Sequence, residues 1–114
     1  MISVTVFQKD GQFTGFLCQG HAGYAEEGYD IVCSAVSALT LNTVNSLEAF
    51  TEDGMKVEQK EDGGYLKLEL TGEISGEADL LMRSLILGLQ TIEESCGSRF
   101  LTVEIEPWQE SMGD

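Results

Sequence analysis

Basic residues are scarce in this chain. Six lysines and arginines stand against 20 aspartates and glutamates, for a net charge of −14. So acidic a molecule repels phosphate backbones, which disfavours direct nucleic-acid binding and favours a basic partner; solubility alone is the plainer use of the charge. Histidine occurs once, at His21, and cysteine three times, at Cys18, Cys33 and Cys96, with no CxxC pair. That set is too thin for a structural zinc site, and neither a metal nor another cofactor is expected. The odd number of thiols argues against a disulfide framework and for free cysteines in a reducing cytoplasm. No long apolar run is present: the stretch from Leu80 to Leu89 is broken by Arg83, Ser84 and Gly88 and is too short to span a bilayer. No positively charged, apolar leader opens the sequence, so no membrane association or export is expected.

What remains is enough for one core. The 114 residues, 42% of them hydrophobic, suit a single domain over 1–114. A domain of this size buries its own surface only modestly, so a homodimer covering extra apolar area is in keeping. Ile2, Val4 and Val6 alternate with Ser3 and Thr5, the period of a half-buried strand, and Lys9 to Gln12 reads as a turn into a second strand over Phe13–Gln19. Gly15 marks a bulge or a close approach there. Ala22 to Tyr29 has no sustained period and reads as a loop. Val36, Leu39, Thr43, Leu47 and Phe50 then keep helical spacing, with Asp30 or Ser34 as the cap and a stop near Thr51–Gly54. Met55–Lys60 is a short strand with Val57 as its one clear inward residue. Glu61–Gly64 is a hairpin turn, and Leu66, Leu68 and Leu70 alternate in the returning strand. After a connection over Thr71–Glu77, a second helix runs from Ala78 to Cys96 and stops at Gly97. Its apolar residues cover most of the circumference, which calls for burial on nearly all sides by the sheet, the first helix or a second subunit. Leu101, Val103 and Ile105 form a last strand, Pro107 ends it, and a polar, mobile tail starts at Trp108. The order is ββαββαβ: an α+β, two-layer domain with a sheet of about five strands and two helices.

The chemistry concentrates between His21 and Cys33. A glycine-bearing loop starts at an imidazole and ends, twelve residues later, at a thiol near the start of a helix. A helix N-terminus favours a thiolate, and a nearby imidazolium favours it further. A base and a nucleophile at the two ends of one loop is the pattern of a cysteine hydrolase. The plainer alternative makes Cys33 a buried small hydrophobe and His21 a solvent-facing loop residue. Asp30 either orients the imidazole or caps the helix. N–H groups at the helix start, that of Cys33 among them, point where an oxyanion would form. Ser37, one turn past Cys33, lies either under the site or packed against the sheet. The loop reads as a lid, with Gly23 and Gly28 as hinges and Tyr24 and Tyr29 as apolar walls. Cys18 reads as core and Cys96 as structural.

The run Gly20-His21-Ala22-Gly23-Tyr24-Ala25, then Gly28, then Asp30-Ile31-Val32-Cys33-Ser34-Ala35-Val36-Ser37 resembles the signature of the Prp family, the ribosomal-processing cysteine proteases. The resemblance implies a homodimeric bacterial endopeptidase. Such enzymes remove the N-terminal extension of the large-subunit ribosomal protein twenty-seven, cutting after an aromatic residue, as ribosome maturation requires. It places the family's histidine at His21, its nucleophile at Cys33, its aspartate at Asp30 and its serine at Ser37. Ser34 stands where the family often has alanine, a mild departure. Two other readings stay beside it. One is a redox or acyl-transfer cysteine, disfavoured by the lack of a nearby resolving cysteine in the sequence. The other is a non-enzymatic, acidic dimeric module that binds basic ribosomal or assembly proteins.

Overall fold

The computed structural model describes residues 1–20, 29–60, 64–97 and 99–109, and of Tyr29 and Asp30 the backbone only. Seven elements follow in the expected ββαββαβ order: β1 (Ile2–Lys9), β2 (Gln12–Gln19), α1 (Tyr29–Phe50), β3 (Gly54–Gln59), β4 (Tyr65–Thr71), α2 (Gly76–Cys96) and β5 (Leu101–Pro107). The five strands form one mixed sheet in the order β3-β4-β2-β1-β5. Both expected hairpins are present, β1 with β2 and β3 with β4, and β4 pairs antiparallel with β2 between them. Only β5 lies parallel to its neighbour, β1.

The alternation seen in the sequence decides what is inside. Ile2, Val4 and Val6 of β1, Phe16 of β2 and Leu66, Leu68 and Leu70 of β4 are buried, on the side of the sheet that the helices cover. Val32, Val36 and Leu47 of α1 and Ala78, Met82, Leu85, Ile86 and Leu89 of α2 meet them. Two glycines permit close approaches. A Cβ on Gly15 would collide with the carbonyl oxygen of Leu68, and the β1–β2 register slips at this point, between Phe7 and Gln8. Gly15 thus marks both a bulge and a close approach. A Cβ on Gly88 would lie 2.9 Å from Leu39 Cδ1, where the two helices touch.

Three expectations are corrected. Helix α1 starts at Tyr29, so Asp30 and Ser34 both lie within the helix and neither is its cap. Val57 shares the covered side of the sheet with Leu68 but is 44% exposed, because β3 is an edge strand; Met55 is the half-buried residue there. Within this single chain the sheet and α1 leave Leu80 62% and Leu87 68% exposed on α2. The tail is tied down at Trp108, whose N–H donates to Gln8 O at 2.8 Å and whose ring stands edge-on to Phe7 at 5.4 Å.

The two helices are also linked through a cap. Ser75 Oγ accepts from Ala78 N at 3.1 Å at the start of α2. Asp53, just beyond the end of α1, accepts from Ser75 Oγ at 2.6 Å and from Ser75 N at 2.8 Å. Burial pushes the Asp53 carboxyl up, but the bonds from Ser75 and Thr51 outweigh it and hold the group below the usual aspartate value.

Candidate active site

A cavity of about 140 Å³ opens between the start of α1 and the sheet. Cys33, Ser37 and Thr40 line it from α1, at helical spacings of four and three that put them on one face. Ile2 of β1 and Cys18 of β2 form its floor, on the same strand face, since Val4 and Cys18 are paired. Gly20 borders it together with its hydrogen-bonded neighbour Gly64 and with Gln59, Tyr65 and Leu66. The wall is therefore mostly apolar, with one half-buried thiol and one exposed hydroxyl from the helix.

Cys33 is the fifth residue of α1 and half-buried at the cavity wall. In an unbroken helix from Tyr29 its own N–H bonds to the Tyr29 carbonyl, so the unpaired N–H groups of the helix start belong to residues before it. This corrects the expectation that the Cys33 amide faces an oxyanion. Ser37 stands one turn on, exposed and on the same cavity, and so is not packed against the sheet. Thr40 contributes little polarity, because its hydroxyl donates to Val36 O at 2.9 Å.

Cys18 is the residue that sequence reasoning undervalued. It does face the core, as its alternation with Phe16 indicates, but it also shares the cavity with Cys33. Burial pushes its thiol up to about 11, and the charge of a neighbouring Cys33 thiolate adds to the rise. Nothing in the linear order signals this, because the β2 register against α1 is set by tertiary packing.

Gly20 is held on two sides. Its N–H donates to Gly64 O at 3.1 Å, and a Cβ there would lie 2.8 Å from Ile2 Cα. The chain thus leaves β2 at a fixed point of the cavity rim. His21, Gly23, Tyr24 and Gly28 lie outside the described residues, as do the side chains of Tyr29 and Asp30. Tyr65, across the rim, donates its hydroxyl to Glu58 Oε2 at 3.2 Å, and Lys60 Nζ sits 4.7 Å from its ring centre. Burial, then the Glu58 bond and charge, raise the Tyr65 phenol above its ordinary value. Cys96 packs at the edge of the core, away from the cavity. Among the described residues no group of three His, Cys, Asp or Glu side chains is placed to hold a metal, and no helix is long and apolar enough to cross a membrane.

Comparison with known proteins gives consistent results. A family model described as cysteine protease Prp matches residues 1–100. The ribosomal processing cysteine protease Prp of Bacillus subtilis is 35% identical over 98 residues, covering 82% of this chain and 88% of the relative. Two crystal structures of the essential ribosomal processing protease Prp from S. aureus superpose closely. The complex with a substrate peptide gives a TM-score of 0.85 at 28% identity, covering 92% of this chain and 99% of the other. The complex with a covalently linked product peptide gives 0.82 at 29% identity, with the same coverage.

Proposed function

This chain belongs to the Prp family of cysteine proteases, and we propose that it works with Cys33 as nucleophile and His21 as general base. The family membership sets aside the reading as a non-enzymatic acidic module. One observation carries the assignment of Cys33: it lines an open cavity beside an exposed hydroxyl, whereas Cys96 does not border that cavity. Cys18 shares the cavity, but its raised thiol is a poor nucleophile at neutral pH.

The reaction follows from these groups. His21 follows in the chain directly after Gly20, a residue of the cavity rim. It takes the thiol proton of Cys33, and Cys33 Sγ attacks the carbonyl carbon of the scissile bond. His21 then gives the proton to the departing amine, which leaves a thioester on Cys33. Water, deprotonated by His21, attacks that thioester, and the carboxylate product leaves as Cys33 regains its thiol. Asp30 orients the imidazole, and Ser37 donates a hydrogen bond at the reacting centre. The loop with Gly23, Tyr24, Gly28 and Tyr29 closes over the peptide. No metal or cofactor enters any of these steps.

The substrate we propose is the N-terminal extension of the large-subunit ribosomal protein twenty-seven, cut after an aromatic residue. The cavity supports the aromatic preference, because an apolar space of about 150 Å³ accepts a benzene ring and this one has about 140 Å³. The net charge of −14 supports a basic ribosomal partner and argues against direct contact with nucleic acid. The exposed Leu80 and Leu87, one above the other on α2, support a homodimer, and a protein that processes ribosomal components belongs in the cytoplasm.

A peptide spanning the extension and its cleavage point tests the reading. Wild type should yield two products by mass spectrometry, and Cys33→Ala and His21→Ala should yield none. An intact peptide with wild type, or cleavage by Cys33→Ala, would sink it.

A further inference from the structure

The sheet has two edges, and they are not alike. On β5 the N–H of Val103 donates to Glu93 Oε2 at 2.9 Å, so a side chain of α2 already occupies that edge. On β3 no strand among the described residues pairs with the outer side. The register fixes which groups face outward there. Lys60 N–H donates to Tyr65 O at 3.3 Å, which makes that couple a hydrogen-bonded pair of the antiparallel ladder. Such pairs alternate with non-bonded ones. Gly54, Lys56 and Glu58 therefore bond inward to β4, while Met55, Val57 and Gln59 aim both N–H and C=O away from the sheet. The side chains of these same three residues lie on the helix-covered face, opposite Leu70, Leu68 and Leu66.

That open edge leads to the cavity. Gln59, at its end, borders the cavity that holds Cys33. Val57, two residues back, is 44% exposed, and Leu41 on α1, which also borders the cavity, is 40% exposed. A strip with unpaired main-chain groups on one side and apolar side chains on the other thus ends at the thiol. Unpaired strand edges of this kind bind extended peptides through their main chain, with side-chain contacts adding specificity.

We propose that the substrate peptide adds to β3 as a sixth strand, its main chain paired with Met55, Val57 and Gln59 and its alternate apolar side chains lying over Val57 and Leu41. The proposal rests on the protease reading above. The residues before the scissile bond form this strand, which runs with β3 from Gly54 toward Gln59 and the cavity. The last of them places its aromatic ring in the cavity beside Cys33, and those before it run parallel to β3. The occupant is a peptide with apolar residues at every second position and basic residues between them, the latter suited to a chain of net charge −14.

A methylation series tests the proposal. A peptide with eight residues before the scissile bond is N-methylated at one backbone nitrogen at a time, away from the bond that is cut. In a strand pairing, every second N–H faces β3. KM should rise about tenfold at alternate positions, with kcat within twofold. Val57→Pro, which removes one outward N–H from the edge, should raise KM for the unmodified peptide by a similar factor, and Lys56→Thr, at a residue whose main chain bonds inward to β4 and whose side chain lies on the other face, should stay within twofold of wild type. Methylation effects that are absent, or equal at every position, would overturn the proposal, as would a folded Val57→Pro enzyme with wild-type KM. Should that variant fail to fold, the methylation series decides alone. Wild type that cuts no peptide at all would overturn the protease reading together with this one, an outcome distinct from turnover without alternation.

Discussion

Cys33 and Cys18 face one cavity, and the proposed mechanism gives them opposite roles. With its thiol pushed up to about 11, Cys18 is ionised in only about one molecule in 10⁴ at neutral pH. Iodoacetamide should therefore label Cys33 fastest below pH 7, ahead of Cys96, and Cys18 slowest, as peptide-mapped mass spectrometry would show. Part of the Cys18 rise comes from the Cys33 charge. Cys33→Ser should lower the Cys18 value and speed its labelling, and unchanged labelling would mean that the two thiols do not sense each other. On the catalytic side, Cys33→Ala and His21→Ala should each cut kcat by about 10⁴ or more, and the double variant should be no worse than either alone, because the pair acts as a unit. The sequence singled out His21 and Cys33 as a candidate pair, through their loop and the family signature, and of the two the structure describes Cys33. The sequence did not show Cys18, Tyr65 or Gln59 at the same cavity, because those neighbours are brought together by strand register, which no local period encodes.

Elements report on themselves through their contacts. Gly15 and Gly88 are both crowded, but by different atoms. At Gly15 the obstacle is the backbone oxygen of Leu68 in the middle of the sheet; at Gly88 it is the end of the flexible Leu39 side chain. Gly15→Ala should destabilise by about 1–3 kcal/mol. Gly88→Ala should be nearly neutral, since roughly 1 kcal/mol of helix propensity offsets a small shift of Leu39. Thermal melts of the two variants decide between these outcomes. The Asp53–Ser75 link has a pH signature. The Asp53 carboxyl is held below its unfolded value, so its contribution is complete above about pH 4 and is lost as pH falls through the folded value. Asp53→Asn should lower Tm by a few degrees at pH 7, about 1 kcal/mol or less because solvent screens this half-exposed group. The difference from wild type should shrink below pH 4. Element types were readable because alternation and helical spacing are local. The fit of Asp53 to Ser75 was not, since 22 residues separate them.

At the scale of the molecule, charge and exposed leucines make the predictions. With −14 charges overall, KM for a basic peptide should rise several-fold between 50 and 300 mM salt, while an uncharged analogue should show no such slope. Analytical ultracentrifugation should give a dimer for wild type and a monomer for a Leu80→Glu, Leu87→Glu double variant; a wild-type monomer at micromolar concentration would count against the homodimer. The class of the fold was legible in the order ββαββαβ. The strand order β3-β4-β2-β1-β5 was not, because alternation says which face a residue takes and nothing of which neighbour its strand takes. The apolar circumference of α2 called for cover on nearly all sides, and the structure shows which part of it one chain supplies and that Leu80 and Leu87 stay exposed.

The parallel pairing of β5 with β1 also bears on how the protein comes into being. Ile2 lines the cavity, and its N–H is held by the carbonyl of Phe100, roughly a hundred residues away in the chain. Synthesis proceeds from the N-terminus, so the first strand emerges early and waits for the last. Until the C-terminal strand has left the ribosomal tunnel, one side of β1, the strand that carries Ile2 to the cavity, has no partner. A nascent chain that lacks β5 therefore holds Ile2, and with it one part of the cavity wall, without the hydrogen bond and strand pairing that fix it in the folded protein.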